Sequence, residues 1–201
     1  MNAVIVVRTG STRLPKKCLL PFGEGNVLEH MILRVCELAY ARIIVATTWL
    51  PEDDIIEGFV CNEYGKVAKC YRGCIDISSR LEDMREELDI DLDDLERIDG
   101  DDLFFVPKPQ DGVHRYIGDW HDTVAGYKDC ANKIRLTLDY WEDYWMLCTA
   151  LRCLDYGHEA NANEIVDLFN RNPDLHKINW FRQQDYEENQ KCELKELDIP
   201  A

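Results

Sequence analysis

Positive charge is scarce in this sequence. Its 201 residues carry 23 Lys and Arg against 39 Asp and Glu, a net charge of -16. Nucleic acids and anionic membranes are held by basic surfaces, so neither is expected as a main partner. No apolar run approaches the roughly 20 residues of a membrane-spanning helix. The first apolar run is too short for a secretory leader and has no basic start, so a cytoplasmic chain is expected. A C-x-x-C pair is also missing. The nine cysteines, at 18, 36, 61, 70, 74, 130, 148, 153 and 192, are odd in number and read as reduced thiols in or beside the core. Cys70 and Cys74 lack the second Cys or His pair that a structural zinc site needs. Two common phosphate loops are absent as well. From Gly10 the sixth position is Pro15 and no Ser or Thr follows the lysines, which excludes a Walker loop, and there is no G-x-G-x-x-G turn.

Instead the chain has one cationic loop, Arg8-Thr9-Gly10-Ser11-Thr12-Arg13-Leu14-Pro15-Lys16-Lys17. It follows Ala3 to Val7, five apolar and mostly β-branched residues that predict a buried parallel strand. A helix from Val27 to Ala39, capped by Asn26, comes next, with Leu28, Met31, Ile32, Val35, Leu38 and Ala39 on its core face. A loop at the carboxyl end of a first strand is where open α/β sheets bind ligands. Four cations in so acidic a chain suit a bound polyanion, most simply a nucleoside triphosphate. They equally suit a solvated basic loop that relieves like-charge repulsion.

Strands are expected at 42–47, 67–71, 96–98 and 133–138. Pro51, with Glu52, Asp53 and Asp54 in the first turn, opens a helix that closes at Gly65. A second helix carries Arg80, a third runs from 140 to 156 with Trp141, Tyr144, Trp145, Cys148 and Leu151 in the core, and a fourth runs from 163 to 170. The acidic stretch from Asp89 to Asp102 is not a calcium loop. Counted from Asp89, position six is Asp94 where glycine is needed, and position twelve is Gly100 where glutamate is needed. A polar connection leading to the 96–98 strand and an Asp99-Gly100-Asp101 turn fits better.

The cationic loop closely resembles the R-x-x-S-x-R-L-P-x-K signature of the cytidylyltransferases that activate acidic sugars, the Kdo and spore-coat polysaccharide enzymes. Arg8, Ser11, Arg13, Leu14, Pro15 and Lys17 fill every fixed position. Leu28-Glu29-His30 with Arg34, Ala46-Thr47-Thr48, and Arg135-x-Thr137-x-Asp139-x-x-x-Asp143 are similar to further family segments, and Arg72-Gly73 with Arg80 more loosely so. The resemblance implies a three-layer α/β/α, Rossmann-like nucleotidyltransferase fold of the GT-A kind with a mainly parallel sheet. It implies an enzyme that transfers CMP from CTP to an anionic acceptor, a sugar acid, phosphate or phosphonate, and releases pyrophosphate. Arg8, Gly10, Ser11, Arg13 and Lys17 would hold the nucleotide, with Arg8, Arg13 and Lys17 acting on the reacting phosphates. Arg72, Arg80 and Asp99 are further nucleotide-binding candidates. Asp101 and Asp139 would hold Mg2+, while Asp143 favours the helix dipole or braces the loop.

From 104 to 132 the resemblance lapses. This region is shorter than in relatives, where it carries acceptor recognition and often a dimerisation element, so a homodimer is one expectation. Lys108, His114 and Arg115 are acceptor candidates there, unless the region is only a truncated connector. Residues 1–178 are expected as the nucleotidyltransferase domain. Residues 179–201 are expected as a C-terminal arm, packed on its own subunit or on a second one. Two other functions stay open on sequence grounds: a nucleotide-binding regulatory or assembly protein without turnover, and a glycosyltransferase using Asp99-Gly100-Asp101 as a D-x-D.

Overall fold

The computed structural model describes residues 1–38, 40–104, 134–154 and 162–197. The acceptor candidates Lys108, His114 and Arg115, along with Cys130, Ala39 and Gly157, lie outside the described residues.

The first strand, β1 (Asn2–Val6), is buried along its whole length. It has a parallel neighbour on each edge, β4 (Arg42–Thr48) and β6 (Leu95–Asp99), in registers that place Ala3 beside Ile43 and Glu96. With β5 (Ala68–Gly73) outside β4, the sheet has the order β5-β4-β1-β6 and every pair is parallel. An apolar run without polar alternation suits this position, since both faces of a central parallel strand are covered. Ala3, Ile5, Ile43 and Val45 face one layer, which holds α1 (Val27–Cys36), α2 (Asp54–Phe59), α4 (Trp141–Cys153) and α5 (Ala162–Arg171). Val4, Val6, Ile44 and Ala46 face the other, where Met84, Ile77, Leu81 and Leu88 of α3 (Ile77–Leu88) close the core. This is the expected three-layer α/β/α arrangement. A small antiparallel hairpin, β2 (Pro21–Phe22) and β3 (Gly25–Asn26), leads into α1.

Local signals explain most helix ends. Asn26 caps α1 as expected, its side chain accepting from the Glu29 amide at 2.9 Å. The helix stops at Cys36, sooner than expected. Pro51 starts a single 3-10 turn before α2, and a wider turn over Val60–Tyr64 carries the chain to Gly65. A side chain at Gly65 would meet the Cys61 carbonyl at 2.6 Å, so glycine is required there. Asp89 ends α3 in the left-handed conformation with φ 53°, which places part of the acidic stretch in a helix stop.

Two expectations fail. Residues 134–138 form no strand ladder among the described residues. They run past the carboxyl end of the short β6, where the chain has already turned at Gly100, and the Leu138 amide bonds to the Asp101 carbonyl at 3.0 Å. Trp141 and Trp145 are not core residues, being 46% and 55% exposed. The helix instead buries Asp143, Met146, Leu147, Ala150 and Leu151. At about 100° per residue the two tryptophans fall on the opposite face.

Two buried charges brace the sheet ends. Arg80 is fully buried and its guanidinium donates to the carbonyls of Cys74 at 2.7 Å, Ile75 at 2.9 Å and Ala46 at 3.2 Å. Burial, and then the charge of Arg8, pushes it below the usual arginine value. Asp53, also fully buried, accepts from the Thr9 amide at 2.7 Å and the Thr9 hydroxyl at 2.6 Å, and from the Thr48 hydroxyl. Burial raises the Asp53 pKa, but the hydrogen bonds from Thr48 and Thr9 outweigh it and the net shift is downward.

Each brace gives an expected outcome. Arg80→Ala leaves a cavity in place of a fully buried side chain and removes its bonds to three carbonyls, and should lower unfolding free energy by about 3 kcal/mol in urea titrations. Arg80→Lys should recover only part, because an ammonium donates from one nitrogen and cannot span the three carbonyls that Nε, NH1 and NH2 reach separately. A depressed carboxyl contributes stability that is complete above its unfolded pKa, about 3.9, and is lost as pH falls through the lower folded value. Asp53→Asn should therefore flatten the acid limb of a urea-midpoint profile below about pH 4. An unchanged acid limb would count against this role.

Candidate active site

The loop after β1 is held by its own backbone and by Asp53. The Thr9 carbonyl accepts from the amides of Ser11 at 2.9 Å and Lys16 at 3.0 Å, and the Ser11 hydroxyl accepts from the Leu14 amide at 3.3 Å. Leu14 is fully buried and pins the middle of the loop. Lys16 takes the left-handed conformation, φ 55° and ψ 30°, with an exposed side chain. This turn sends Lys16 outward and the next residue, Lys17, inward. Arg8 and Gly10 are exposed on the same loop.

Lys17 is where the segments meet. Its Nζ donates to Leu138 O at 2.8 Å, Asp101 Oδ2 at 2.9 Å and Asp139 Oδ1 at 3.3 Å, which accounts for all three ammonium hydrogens. Arg13 adds a second cation to Asp139, NH2 to Oδ1 at 3.0 Å. Arg135 adds a third, NH2 to Oδ2 at 2.9 Å. Asp139 is almost wholly enclosed, whereas the Asp101 side chain keeps 27% of its exposure.

The two carboxylates are placed by different means. Asp101 follows Gly100, whose amide bonds to Val6 O at 2.8 Å. A Cβ at Gly100 would lie 2.6 Å from that carbonyl, so only glycine lets the turn press against the end of β1. From α1, His30 Nε2 donates to Leu103 O at 2.9 Å and Arg34 to Phe104 O at 3.4 Å, holding the chain just beyond Asp101. Burial, then the charges of Asp101 and Asp99, push Asp102 up to about 7 against the opposing pull of Arg34. Asp139 is positioned by Asp143. That fully buried carboxylate accepts from the amides of Asp139 and Tyr140, each at 3.0 Å, and from Arg135 Nε and Asn179 Nδ2, each at 2.9 Å. Asp143 thus braces the loop and satisfies the start of α4 together.

The structure brings Arg13, Lys17, Asp101 and Asp139 into one cluster, with Arg8, Gly10 and Ser11 on the loop around it. Other candidates have separate partners. Arg72 donates to Thr48 O and Leu50 O, each at 3.0 Å, and pairs with Asp54 at 2.6 Å and Glu57 at 2.9 Å, tying the ends of β4 and β5 to α2. Arg80 holds carbonyls as described. Asp99 pairs with Arg97 of its own strand at 2.5 Å.

Several site residues carried no sequence signal of their position. Asp53 reads as one of three carboxylates in a helix first turn, and its bond to Thr9 crosses 44 positions. The stretch expected as a polar arm forms α6 (Arg182–Leu197), entered through Asn179, which is fully buried against Arg135 and Asp143. The Tyr186 ring of α6 lies over Arg135 at 4.8 Å and Arg13 at 5.5 Å. Only the spacing of Arg182 and Tyr186, one helical turn, could have placed them on one face.

The chain is similar to several known proteins. Over its full length the chain is 23% identical, across 232 aligned positions, to the 8-amino-3,8-dideoxy-manno-octulosonate cytidylyltransferase of Shewanella amazonensis, covering 93% of that protein. It is 37% identical over 59 residues to the spore coat polysaccharide biosynthesis protein SpsF of Bacillus subtilis, which is 27% of this chain and 25% of that one. The fold is shared with a cytidylyltransferase from Leptospira borgpetersenii serovar Hardjo-bovis at a TM-score of 0.64, with 20% identity and coverage of 87% of this chain and 95% of that structure. Among the described residues no helix is long and apolar enough to cross a membrane. The family model described as cytidylyltransferase matches residues 3–117, more than half of the sequence, so the chain belongs to the cytidylyltransferase family and is an enzyme of that type.

Proposed function

We propose that the protein transfers CMP from CTP to a small anionic acceptor and releases pyrophosphate. The observation that carries this reading is the Lys17 ammonium lodged between Asp101 and Asp139, at 2.9 and 3.3 Å. One cationic side chain of the loop thus already reaches both carboxylates of the proposed metal pair. Among acceptors a sugar acid is favoured, since the Shewanella relative, similar over the whole chain, is named for an amino sugar acid.

The residues fit Mg2+. The two carboxylates converge from different segments on a point that a cation can occupy, as the shared Lys17 ammonium demonstrates. Among the described residues no cluster of three His, Cys, Asp or Glu side chains is present. Two carboxylates suit magnesium, which keeps waters and takes further oxygens from substrate phosphates, better than an all-protein cage would. When bound, Mg2+ would withdraw charge from the phosphate oxygens.

Arg8, Arg13 and Lys17 would bind the triphosphate and offset the charge that builds on the departing pyrophosphate. An acceptor oxygen forms a bond to the α-phosphorus as the bond from that phosphorus to the bridging oxygen breaks. The electron pair leaves with pyrophosphate, whose oxygens or solvent water take up the proton that a hydroxyl acceptor gives up in the same step. A phosphate or phosphonate acceptor is already ionised, so no general-base histidine is demanded. The D-x-D alternative draws no support from Asp99, which is paired to Arg97.

Calorimetric titration with CTP and magnesium should show Lys17→Ala and Arg13→Ala losing about 3 kcal/mol or more of phosphate stabilisation, and Lys16→Ala very little. Equal losses at Lys16 and Lys17 would mean a generic basic patch. Pyrophosphate release with sugar-acid acceptors should fall at least about a hundredfold in Asp101→Asn, with its melting temperature retained, because that side chain is partly exposed. Asp139→Asn should lose both activity and stability, since it leaves the buried Arg135 short of a partner. Full pyrophosphate release by Asp101→Asn would refute the assignment.

A further inference from the structure

The strongest feature outside the phosphate loop is the face that α6 turns toward it. Arg182 clamps Glu142 at the start of α4, Nε to Oε2 at 3.0 Å and NH2 to Oε1 at 2.8 Å. Gln183 Oε1 accepts from Arg135 NH1 at 3.1 Å, and Asn189 Nδ2 donates to the Tyr140 hydroxyl at 3.0 Å. With Tyr186 between them, positions 182, 186 and 189 recur at helical spacing and lie on one face. A helix that merely covered the core would present aliphatic side chains there. This one presents polar and aromatic groups to the charged cluster.

The rings of Tyr140 and Tyr186 serve two arginines together. Arg13 lies 5.7 Å from the Tyr140 centroid and 5.5 Å from that of Tyr186, and Arg135 lies 5.6 and 4.8 Å from the same rings. Each guanidinium also holds one oxygen of Asp139. A long, partly exposed side chain such as Arg13 has many rotamers, and stacking on an aromatic face selects among them. We propose that Tyr186 is a positioning residue for nucleotidyl transfer, its ring holding the Arg13 guanidinium in line with Asp139, so that the C-terminal helix completes the phosphate site.

Burial, then the charges of Asp139 and Asp101, raise the Tyr186 phenol above its ordinary value. The ring therefore stays neutral beside the carboxylates at physiological pH and adds no competing anion. Tyr186 lies in α6, beyond residue 117 where the family-model match ends.

The proposal rests on Arg13 as a phosphate contact, and two readouts separate the claims. Side-chain NMR of 15N-arginine-labelled protein, with Arg13 assigned by its loss in Arg13→Lys, reads the stacking without nucleotide. Tyr186→Ala should move the Arg13 Nε–H resonance by removing the Tyr186 share of a ring-current shift to which Tyr140 also contributes, and Tyr186→Phe should keep the wild-type position. In steady-state kinetics Tyr186→Ala should raise the KM for CTP roughly tenfold, Tyr186→Phe should stay near wild type, and Tyr186→Ala should add little in an Arg13→Ala background. Trp180→Ala, on the same arm with its side chain half exposed, serves as the control for general loosening and should match wild type. An unmoved Arg13 resonance, a Tyr186→Phe as impaired as Tyr186→Ala, full additivity with Arg13→Ala, or an equal loss in Trp180→Ala would each overturn the proposal. A wild-type protein that shows the shift but binds no CTP would leave the positioning intact and refute the nucleotide reading.

Discussion

Everything at the carboxyl edge of the sheet depends on one ammonium. Lys17 Nζ is bonded to a carbonyl and two carboxylates from segments far apart in sequence, Asp101 and Leu138-Asp139. Removing charges from water is costly, and the cost is offset only when geometry and hydrogen bonding are nearly complete. Arg13, Lys17 and Arg135 therefore face Asp101, Asp139 and Asp143, with the guanidiniums further covered by rings. Losing an enclosed member such as Asp139 or Asp143 leaves the opposite charge poorly compensated, whereas Asp101 is partly exposed.

Two elementary features of the fold make that meeting possible. A parallel sheet sends every strand's carboxyl end to the same edge, and β1 lies between β4 on one side and β6 on the other. The loop after β1 thus has the helix entry after β4 on one flank and the turn after β6 on the other. Asp53 secures the first contact through Thr9, and Gly100 secures the second by pressing on Val6. The cation is held in place by the flanks rather than by stiffness of its own loop, whose middle is anchored through the buried Leu14.

This explains what could be read in advance. β1, the Asn26 cap and the parallel sheet come from contiguous patterns, and the expectation that Lys17, Asp101 and Asp139 share one crevice comes from family-like segments; the direct pairing of Lys17 with the two carboxylates is seen only in the structure. What escaped was nonlocal or depended on which face won. Asp53 looks like a helix-start carboxylate because its partner is on another loop. Trp141 and Trp145 look like core residues by type, yet helical phase puts Met146, Leu147 and Ala150 inside instead. The last stretch reads only as a polar arm, with its own subunit or a second one as the packing surface, because its groups that face the cluster are Arg182, Gln183, Tyr186 and Asn189, which carry no apolar stripe. Their burial value lies in arginine stacking and hydrogen bonds, to which hydrophobic periodicity is blind.

The strong negative charge of the chain acquires a meaning under the proposed function. An open basic loop would attract any polyanion. Here Lys17 and Arg13 already have carboxylate partners, so a phosphate that reaches them must exchange with Asp101 and Asp139. A bare anion that drew Lys17 and Arg13 away would leave those two carboxylates facing each other without their cations, an unfavourable outcome at short range. On the proposed reading a triphosphate arriving with a divalent cation would resolve both sides of the exchange, its phosphates taking the side-chain cations while Asp101 and Asp139 would hold the metal. Discrimination for a metal–nucleotide complex over other anions then follows from the balance of charge in the cluster, with no contact to the base required. Recognition of the base and the acceptor must be supplied elsewhere, by residues outside this cluster.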